Sequence, residues 1–420
     1  MIKILLGGSP CTHWSIAQKN GRETQPNSGI GWELFLNYKI ALKKYKPDYF
    51  LYENNKSATQ AIKDEIKKEL NVVEPDLLTP DNGIRMNHFN SSLVSAQHRE
   101  RFYVTNFGDV PPPLDRGIML RDVINGYTDK EKSRAVISSI GRTTTREYFQ
   151  KQQGTMAYEP VNLSKSGKGR CVTSGYANKG AMHILESNYS DNPNKQKWDS
   201  VAERVALNTN NGKSQTIKAQ CQQTNEDNIV VYAGGTFGAS GVAEKVPFYA
   251  TPVEFDDLGR PTKAISSADG KVYRVHEVRN GMITIKGKEY RIDLEDGFYI
   301  IRKLTVLECK RLQTIPDWYE FPVSDSQAYK MIGNGWTIEM IKHLLSHIPN
   351  ILDEEIEVLS MYDGMSCGQI ALKEMGCNVI RYYATEIDKY AIQTTQHNFP
   401  CTIQLGDAFQ VRDDAWRLRK

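Results

Sequence analysis

Strand-like and helix-like stretches alternate at both ends of this chain and stop alternating in the middle. Near the N-terminus the apolar run Ile2–Leu6 ends in Gly7-Gly8, and Leu34, Phe35, Tyr38 and Leu42 fall at helical spacing within 32–45, with Pro47 just beyond. Asp48 to Tyr52 then predicts a strand, Ala58 to Leu70 a charged amphipathic helix, and Arg101 to Asn106 another strand. From about residue 300 the rhythm returns. Thr305 to Leu312 predicts a helix opened by a capping box of Thr305 and Glu308, and Thr337 to Ile348 a second helix. Ile356–Met361 and Val379–Thr385 read as strands, each followed by a helix (368–375, closed by Gly376, and 390–399). Such alternation predicts an α/β fold built on a parallel sheet.

The character changes at Pro111-Pro112-Pro113, a stiff boundary. From about 114 to 298 the chain is rich in Asn, Gln, Thr, Ser, Gly and Lys, with weak periodicity. One hairpin is legible there: Val272–Val278 and Met282–Ile285 flank Asn280-Gly281, which supplies the positive φ angles of a tight turn. The expected organisation is therefore 1–110, a mostly β or irregular insertion at 111–299, and 300–420 completing the first part.

With 420 residues, 40% hydrophobic and 25% charged, the chain can bury a sizeable core. A formal charge of +3 neither demands nor excludes a nucleic-acid partner. The seven cysteines form no C-x-x-C pair, which predicts reduced thiols and neither a zinc site nor any other metal. No run approaches a membrane span or a signal segment. The expectation is a cytoplasmic, monomeric protein with no membrane partner.

Three constellations carry chemistry. Met361 to Gln369 leaves a strand and enters a helix through small residues, which lets backbone approach a ligand. Glu386 ends the next strand, where a carboxylate can take ribose hydroxyls, and Asp407 follows a third. At the other end Pro10-Cys11 follows the first strand and Glu53 the second. A thiolate is nucleophilic near neutral pH, and a carboxylic acid in a poorly solvated pocket can deliver a proton. Arg99 and Arg101, two apart on an extended segment, share a face and can hold a carbonyl oxygen and a phosphate. Taken singly, each has a plain structural explanation: a buried thiol, a loop acid, a surface ion pair, an unrelated strand-end carboxylate.

Together they resemble the DNA cytosine-5 methyltransferases. The match runs through Pro10-Cys11, Glu53-Asn54, Gln97-x-Arg99-x-Arg101, Arg302-Lys303-Leu304-Thr305 with Glu308 and Arg311-Leu312-Gln313, and Gly333-Asn334, over roughly 1–108 and 300–412. The resemblance implies a Rossmann-like S-adenosylmethionine-dependent methyltransferase sheet with an inserted target recognition domain. It implies Cys11 as the nucleophile adding to C6 of a flipped cytosine in double-stranded DNA, Glu53 as the acid at N3 and N4, Arg101 at O2 and Arg99 supporting it. It implies that Pro10, Tyr362, Asp363, Gly364, Gly368, Glu386, Ile387 and Asp407 hold S-adenosylmethionine, with Asn334 and Trp336 closing that pocket.

The chain departs from the family in places. Asn55 stands where a valine is common, and Gly7-Gly8-Ser9-Pro10-Cys11 resembles the eukaryotic de novo enzymes more than most bacterial ones. The large departure is order: the donor-binding elements come last, as in a circular permutation with new termini between the third and fourth sheet strands. In this family the insertion reads DNA. Here it carries Arg142, Arg146, Lys165, Lys168, Arg170 and Lys179 interleaved with Tyr148, Tyr158 and Tyr176, side chains suited to phosphates and base edges. Three alternatives stay open on sequence: an RNA cytosine methyltransferase, a catalytically silent DNA-binding regulator, and a methylase of free nucleotides. A prokaryotic or phage-infected cell is the expected setting.

Overall fold

The computed structural model describes residues 1–10, 13–15, 22–72, 82–151, 154–163, 181–184, 230–233 and 249–418. Cys11 lies outside the described residues, as do Lys165, Lys168, Arg170, Tyr176 and Lys179.

The described chain divides into two compact units, the first made of 1–124, 128–156 and 303–420. Its centre is a sheet in the order Ile403–Gly406, Asn378–Thr385, Glu355–Met361, Ile2–Gly7, Tyr49–Asn55, Glu100–Thr105, Arg85–Asn90. The N-terminal strand thus sits mid-sheet, pairing parallel with Glu355–Met361 on one side (Leu5 opposite Leu359) and Tyr49–Asn55 on the other (Leu5 opposite Phe50). Ile4, Leu5 and Leu6 are fully buried, as a strand covered on both faces requires. Helix Gly29–Tyr45 packs Phe35 and Tyr38 against Tyr52, with ring centroids 5.4 and 5.0 Å apart.

The predicted all-parallel sheet is corrected at one edge. Glu100–Thr105 runs antiparallel to both Tyr49–Asn55 and Arg85–Asn90. The link from Arg85–Asn90 is too short for a crossover helix, so the chain must turn back. Arg85–Asn90 itself was not predicted: Asn87, His88 and Asn90 break its apolar signal, which an edge strand tolerates. Helix Asp325–Asn334 was also missed, for its alanine, methionine and isoleucine are diluted by polar residues.

The second unit comprises 125–127 and 157–302. The expected boundary at 111 and this one at 157 do not coincide, because 111–124 and 128–156 belong to the first unit. Strands Thr251–Phe255, Pro261–Ile265, Val272–Arg279, Met282–Ile285 and Lys288–Arg291 follow one another in a sheet, and Gly297–Lys303 pairs with Val272–Arg279. The hairpin forms as predicted: Arg279 pairs with Met282, and Asn280 and Gly281 have φ of +52° and +67°. A small apolar cluster of Val161, Ala250, Ala264, Val275 and Ile300 fills this unit. Beside it Glu159 and Arg302 form a completely buried ion pair. Glu159 also accepts from the Ser266 hydroxyl (2.8 Å) and Ser267 N–H (2.9 Å), which satisfies a charge that would otherwise be costly to bury.

Candidate active site

The candidate residues gather at the carboxyl ends of neighbouring strands in the first unit, where open α/β sheets bind ligands. They fall into two groups.

One group surrounds Glu53. Strand Tyr49–Asn55 carries it inside the strand rather than behind it, and it is buried. Arg101 Nε reaches Glu53 Oε1 at 2.8 Å, and Trp336 Nε1 donates to Oε2 at 3.0 Å. The segment before Cys11 is fixed to the same strand. The Ser9 and Tyr52 hydroxyls lie 2.7 Å apart, and Asn54 Nδ2 donates to the Ser9 carbonyl at 2.9 Å. Gly8 has no alternative there, since a Cβ would stand 2.4 Å from the Glu53 carbonyl oxygen. Beyond Cys11, Glu23 accepts from Trp14 Nε1 (3.2 Å) and from the Gly31 N–H (3.0 Å) at the start of helix Gly29–Tyr45. Asn55 donates to the Ser15 hydroxyl at 3.3 Å. Sequence reasoning gave no role to Ser9, although it stands in the Gly7-to-Cys11 motif, nor to Tyr52 and Glu23, which act through these contacts.

Arg99 and Arg101 do not share a target. Arg99 is buried, and its guanidinium donates to the carbonyls of Val136 (3.0 Å), Gly333 (3.3 Å) and Gly335 (2.8 Å). It therefore holds the turn between helices Asp325–Asn334 and Ile338–Leu345, the turn that presents Trp336. Gln97 and Gln313, from two distant motifs, meet at 2.9 Å, and Gln313 ties the Ile332 carbonyl (2.8 Å) and the Thr337 hydroxyl (2.9 Å). Gly333 is required by close approach: a Cβ would lie 2.2 Å from Ser138 N. Asn334 ends its helix exposed.

The other group lines the turn from strand Glu355–Met361 to helix Cys367–Met375. Tyr362 has φ +60°, and its hydroxyl donates to the Leu34 carbonyl at 2.7 Å. Asp363 Oδ1 accepts from the Tyr382 hydroxyl at 2.9 Å, while Oδ2 is buried with no hydrogen-bond partner among the described residues. Burial pushes the Asp363 carboxyl up to about 6, against the opposing pull of the Ser360, Ser366 and Tyr382 hydroxyls. Gly364, at φ +59°, faces open space, and its N–H donates to Glu386 Oε2 at 2.8 Å. Glu386 Oε1 takes the N–H groups of Ile387 and Asp388, both at 2.8 Å. Ile387 is 74% exposed, a bare apolar surface beside that acid. Asp407 accepts from the Phe409 N–H at 2.9 Å. Gly368 serves packing, since a Cβ would come within 2.5 Å of the Leu6 side chain.

Cys367 joins the two groups, accepting the Trp336 backbone N–H at 3.3 Å on its sulfur. Burial pushes its thiol up to about 12, so it stays protonated at neutral pH and is no nucleophile.

The model of the C-5 cytosine-specific DNA methylase family matches residues 1–350. The orphan methyltransferase M.SPRI of Bacillus phage SPR is 23% identical over 394 residues, which cover 82% of each chain. The Type II methyltransferase M.HhaI of Haemophilus parahaemolyticus is 32% identical over 88 residues, 20% of this chain and 27% of that one. A DNMT2 structure from Spodoptera frugiperda covers 82% of this chain and 78% of its own at 12% identity, with a TM-score of 0.34, too low to bear on the fold. The family model takes in the Glu53 group entire, and on that match the chain belongs to the C-5 cytosine-specific DNA methylases and is a DNA cytosine-5 methyltransferase.

Proposed function

We propose that this methyltransferase takes its methyl group from S-adenosylmethionine and acts on a cytosine flipped out of double-stranded DNA, within a short sequence read by residues of the insertion at 111–299. A base inside the stack does not expose C5 and C6 to attack, so extrusion is needed. Cys11 adds as thiolate to C6, and the ring becomes nucleophilic at C5 once a proton reaches N3. Glu53 is the acid for that proton, and its carboxylate also accepts from the exocyclic N4. Arg101, anchored on Glu53, faces the base at O2, and Arg99 supports it by holding the neighbouring turn.

The donor-side residues fit S-adenosylmethionine. An unpartnered buried carboxylate oxygen on Asp363 suits a cationic or N–H-bearing group, Glu386 suits ribose hydroxyls, and exposed Ile387 suits a flat apolar ring. Tyr362, Gly364 and Asp407 complete that wall, with Pro10 and Asn334 at its margin. When bound there, the donor supplies an electrophilic methyl group on a sulfonium.

We read the chain order as a circular permutation. Supporting this, strand Ile2–Gly7 pairs directly with Glu355–Met361, and the family match ends at residue 350, before the donor-side loop. The Type II name of the Haemophilus parahaemolyticus relative favours DNA modification of the restriction–modification kind, and the two relatives together favour a bacterial or phage-infected cell. Among the described residues no helix is long and apolar enough to cross a membrane.

The observation that carries the reading is the buried Glu53 carboxylate held beside the anchored Ser9-Pro10 segment. The test is methyl transfer from labelled S-adenosylmethionine to mixed-sequence duplex DNA, with tRNA and Cys11→Ala as controls, followed by conversion sequencing. Label at cytosine in one short motif, abolished in Cys11→Ala, is expected. Label on tRNA alone, or undiminished label in Cys11→Ala, overturns the reading.

A further inference from the structure

We infer that Trp336 is a positioning residue for the Glu53 carboxyl group, acting in the addition to the base and not only at the donor site. The inference rests on the function proposed above.

A carboxylate has two oxygens and can turn about its last torsion unless both are held. Glu53 has both held, Oε1 by Arg101 Nε at 2.8 Å and Oε2 by Trp336 Nε1 at 3.0 Å. Arg101 alone would leave that rotation free. The indole nitrogen can only donate, so this contact always engages Glu53 as an acceptor. Each oxygen retains one further position toward an incoming base, one to accept from N4 and one to carry the proton for N3.

Trp336 is itself held from two directions. Arg99 donates to the carbonyl of Gly335 at 2.8 Å, and the Trp336 backbone N–H rests on the Cys367 sulfur at 3.3 Å. Gly335 has little room to move, because a Cβ there would come within 3.1 Å of the same sulfur. The contacts form a chain: Arg99 fixes the turn, the turn aims Trp336, Trp336 fixes Glu53, and Glu53 fixes Arg101. A tryptophan serving only the donor pocket has no need of a bond to the acid.

Addition to the base can be read without a methyl donor. The thiolate bonds to C6 as the C5–C6 π bond opens and N3 gains a proton. C5 then takes a proton from solvent and gives up its own, N3 returns its proton, and the sulfur leaves. The net result is exchange of the C5 hydrogen with solvent. The experiment measures release of tritium from 5-tritiated cytosine in substrate duplex, without donor, by wild type, Trp336→Phe, Glu53→Gln and the double variant. Phenylalanine keeps an aromatic ring and removes the N–H. Loss of one hydrogen bond to a charged group predicts exchange slowed about ten- to hundredfold in Trp336→Phe. Binding of S-adenosylhomocysteine, measured by calorimetry, is expected to change about twofold at most. In the Glu53→Gln background the second substitution is expected to add little, because the two residues act through one contact.

Equal losses in both backgrounds assign Trp336 a merely structural part and overturn the inference. So does unchanged exchange with weakened S-adenosylhomocysteine binding, which returns Trp336 to the donor site alone. Absence of both exchange and methyl transfer in the wild type overturns the function reading itself, and the inference with it.

Discussion

The two groups at the carboxyl edge of the sheet face opposite electrostatic conditions. Around Glu53 the polar groups satisfy one another, Arg101 and Trp336 holding the acid and Arg99 holding three backbone carbonyls. Around Asp363 the groups are less tied to one another: among the described residues Oδ2 has no hydrogen-bond partner by geometry, Gly364 has no neighbour close to its Cβ position, and Ile387 is exposed. On the function proposed above, a donor bound there would offer a partner to a buried carboxylate that is costly to leave unpaired. A base on the other side must exchange for contacts the protein makes with itself. The donor side is therefore expected to bind its ligand as a nearly preformed cradle, and the base side to contribute chemistry at the expense of its own internal bonds.

The largest effect that could break this comparison lies at Glu53. Glu53→Gln keeps the shape and the acceptor oxygen but cannot donate a proton as a carboxylic acid does. Methyl transfer is expected to fall by about 10²- to 10⁴-fold, with DNA binding retained. Single-turnover transfer and a gel-shift titration check this, and a loss under about threefold would remove Glu53 from the chemistry.

Next comes Asp363, whose burial has a pH signature. Its carboxyl sits near 6 in the folded chain against 3.8 ordinarily, because burial disfavours the charge. Below pH 3.8 the group is neutral in both states and stability is complete. As pH rises from 3.8 to about 6 the unfolded chain loses its proton first, so stability falls by roughly 3 kcal/mol and stays lost above that window. Asp363→Asn stays neutral. Its urea midpoint is expected to exceed the wild type's at pH 8 and to match it at pH 4, while its affinity for S-adenosylhomocysteine drops. Equal midpoints at pH 8 would mean that burying the Asp363 charge does not cost stability.

A smaller effect is expected at Gly8, which belongs to the crowded side. A methyl group there meets a backbone oxygen that cannot swing away, so Gly8→Ala should destabilise by roughly 1–3 kcal/mol. It should also displace Glu53 and slow methyl transfer while leaving S-adenosylhomocysteine binding near its original value. Weaker binding alone, with transfer per bound donor unchanged, would show that the two sides are not separable.

The same contrast explains what the sequence could disclose. Donor-side residues sit at strand ends followed by helices, so periodicity alone placed Asp363, Glu386 and Asp407 correctly in the fold. Gly376, at φ +78°, closes its helix for the reason glycine is used there. The base side was legible as motifs but not as contacts. Nothing in the spacing of Arg99 and Arg101 says that one guanidinium turns inward to the Gly333–Gly335 carbonyls while the other meets an acid. The two arginines do not lie in one strand, for Arg99 falls between strands Gln97–His98 and Glu100–Thr105 and Arg101 within the second. Trp336 lies 283 residues from Glu53, and a pairing at that range is set by tertiary packing rather than local pattern. In the second unit the Asn280-Gly281 turn was readable because the turn is local. The Glu159–Arg302 pair, 143 residues apart, was not.

The smallest effect tests how far the base side depends on its scaffold. Thr305 caps helix Val306–Leu312, accepting the Glu308 N–H at 3.2 Å while Glu308 accepts the Thr305 N–H at 2.7 Å. The far end of that helix supplies the Leu312 carbonyl to Ser95 and Gln97, both at 2.6 Å, and leads into Gln313. Thr305→Ala removes one cap bond at the opposite end and should cost about 1 kcal/mol of stability. If the Gln97–Gln313 contacts hold the turn by themselves, tritium exchange at C5 should change by less than about twofold, since the uncapped first turn can fray without moving the last. A larger fall in exchange, at full occupancy of folded protein, would show that the contacts around Glu53 are tuned by the helix as a whole. The base side would then be poised rather than rigid, in contrast to the nearly preformed cradle expected on the donor side.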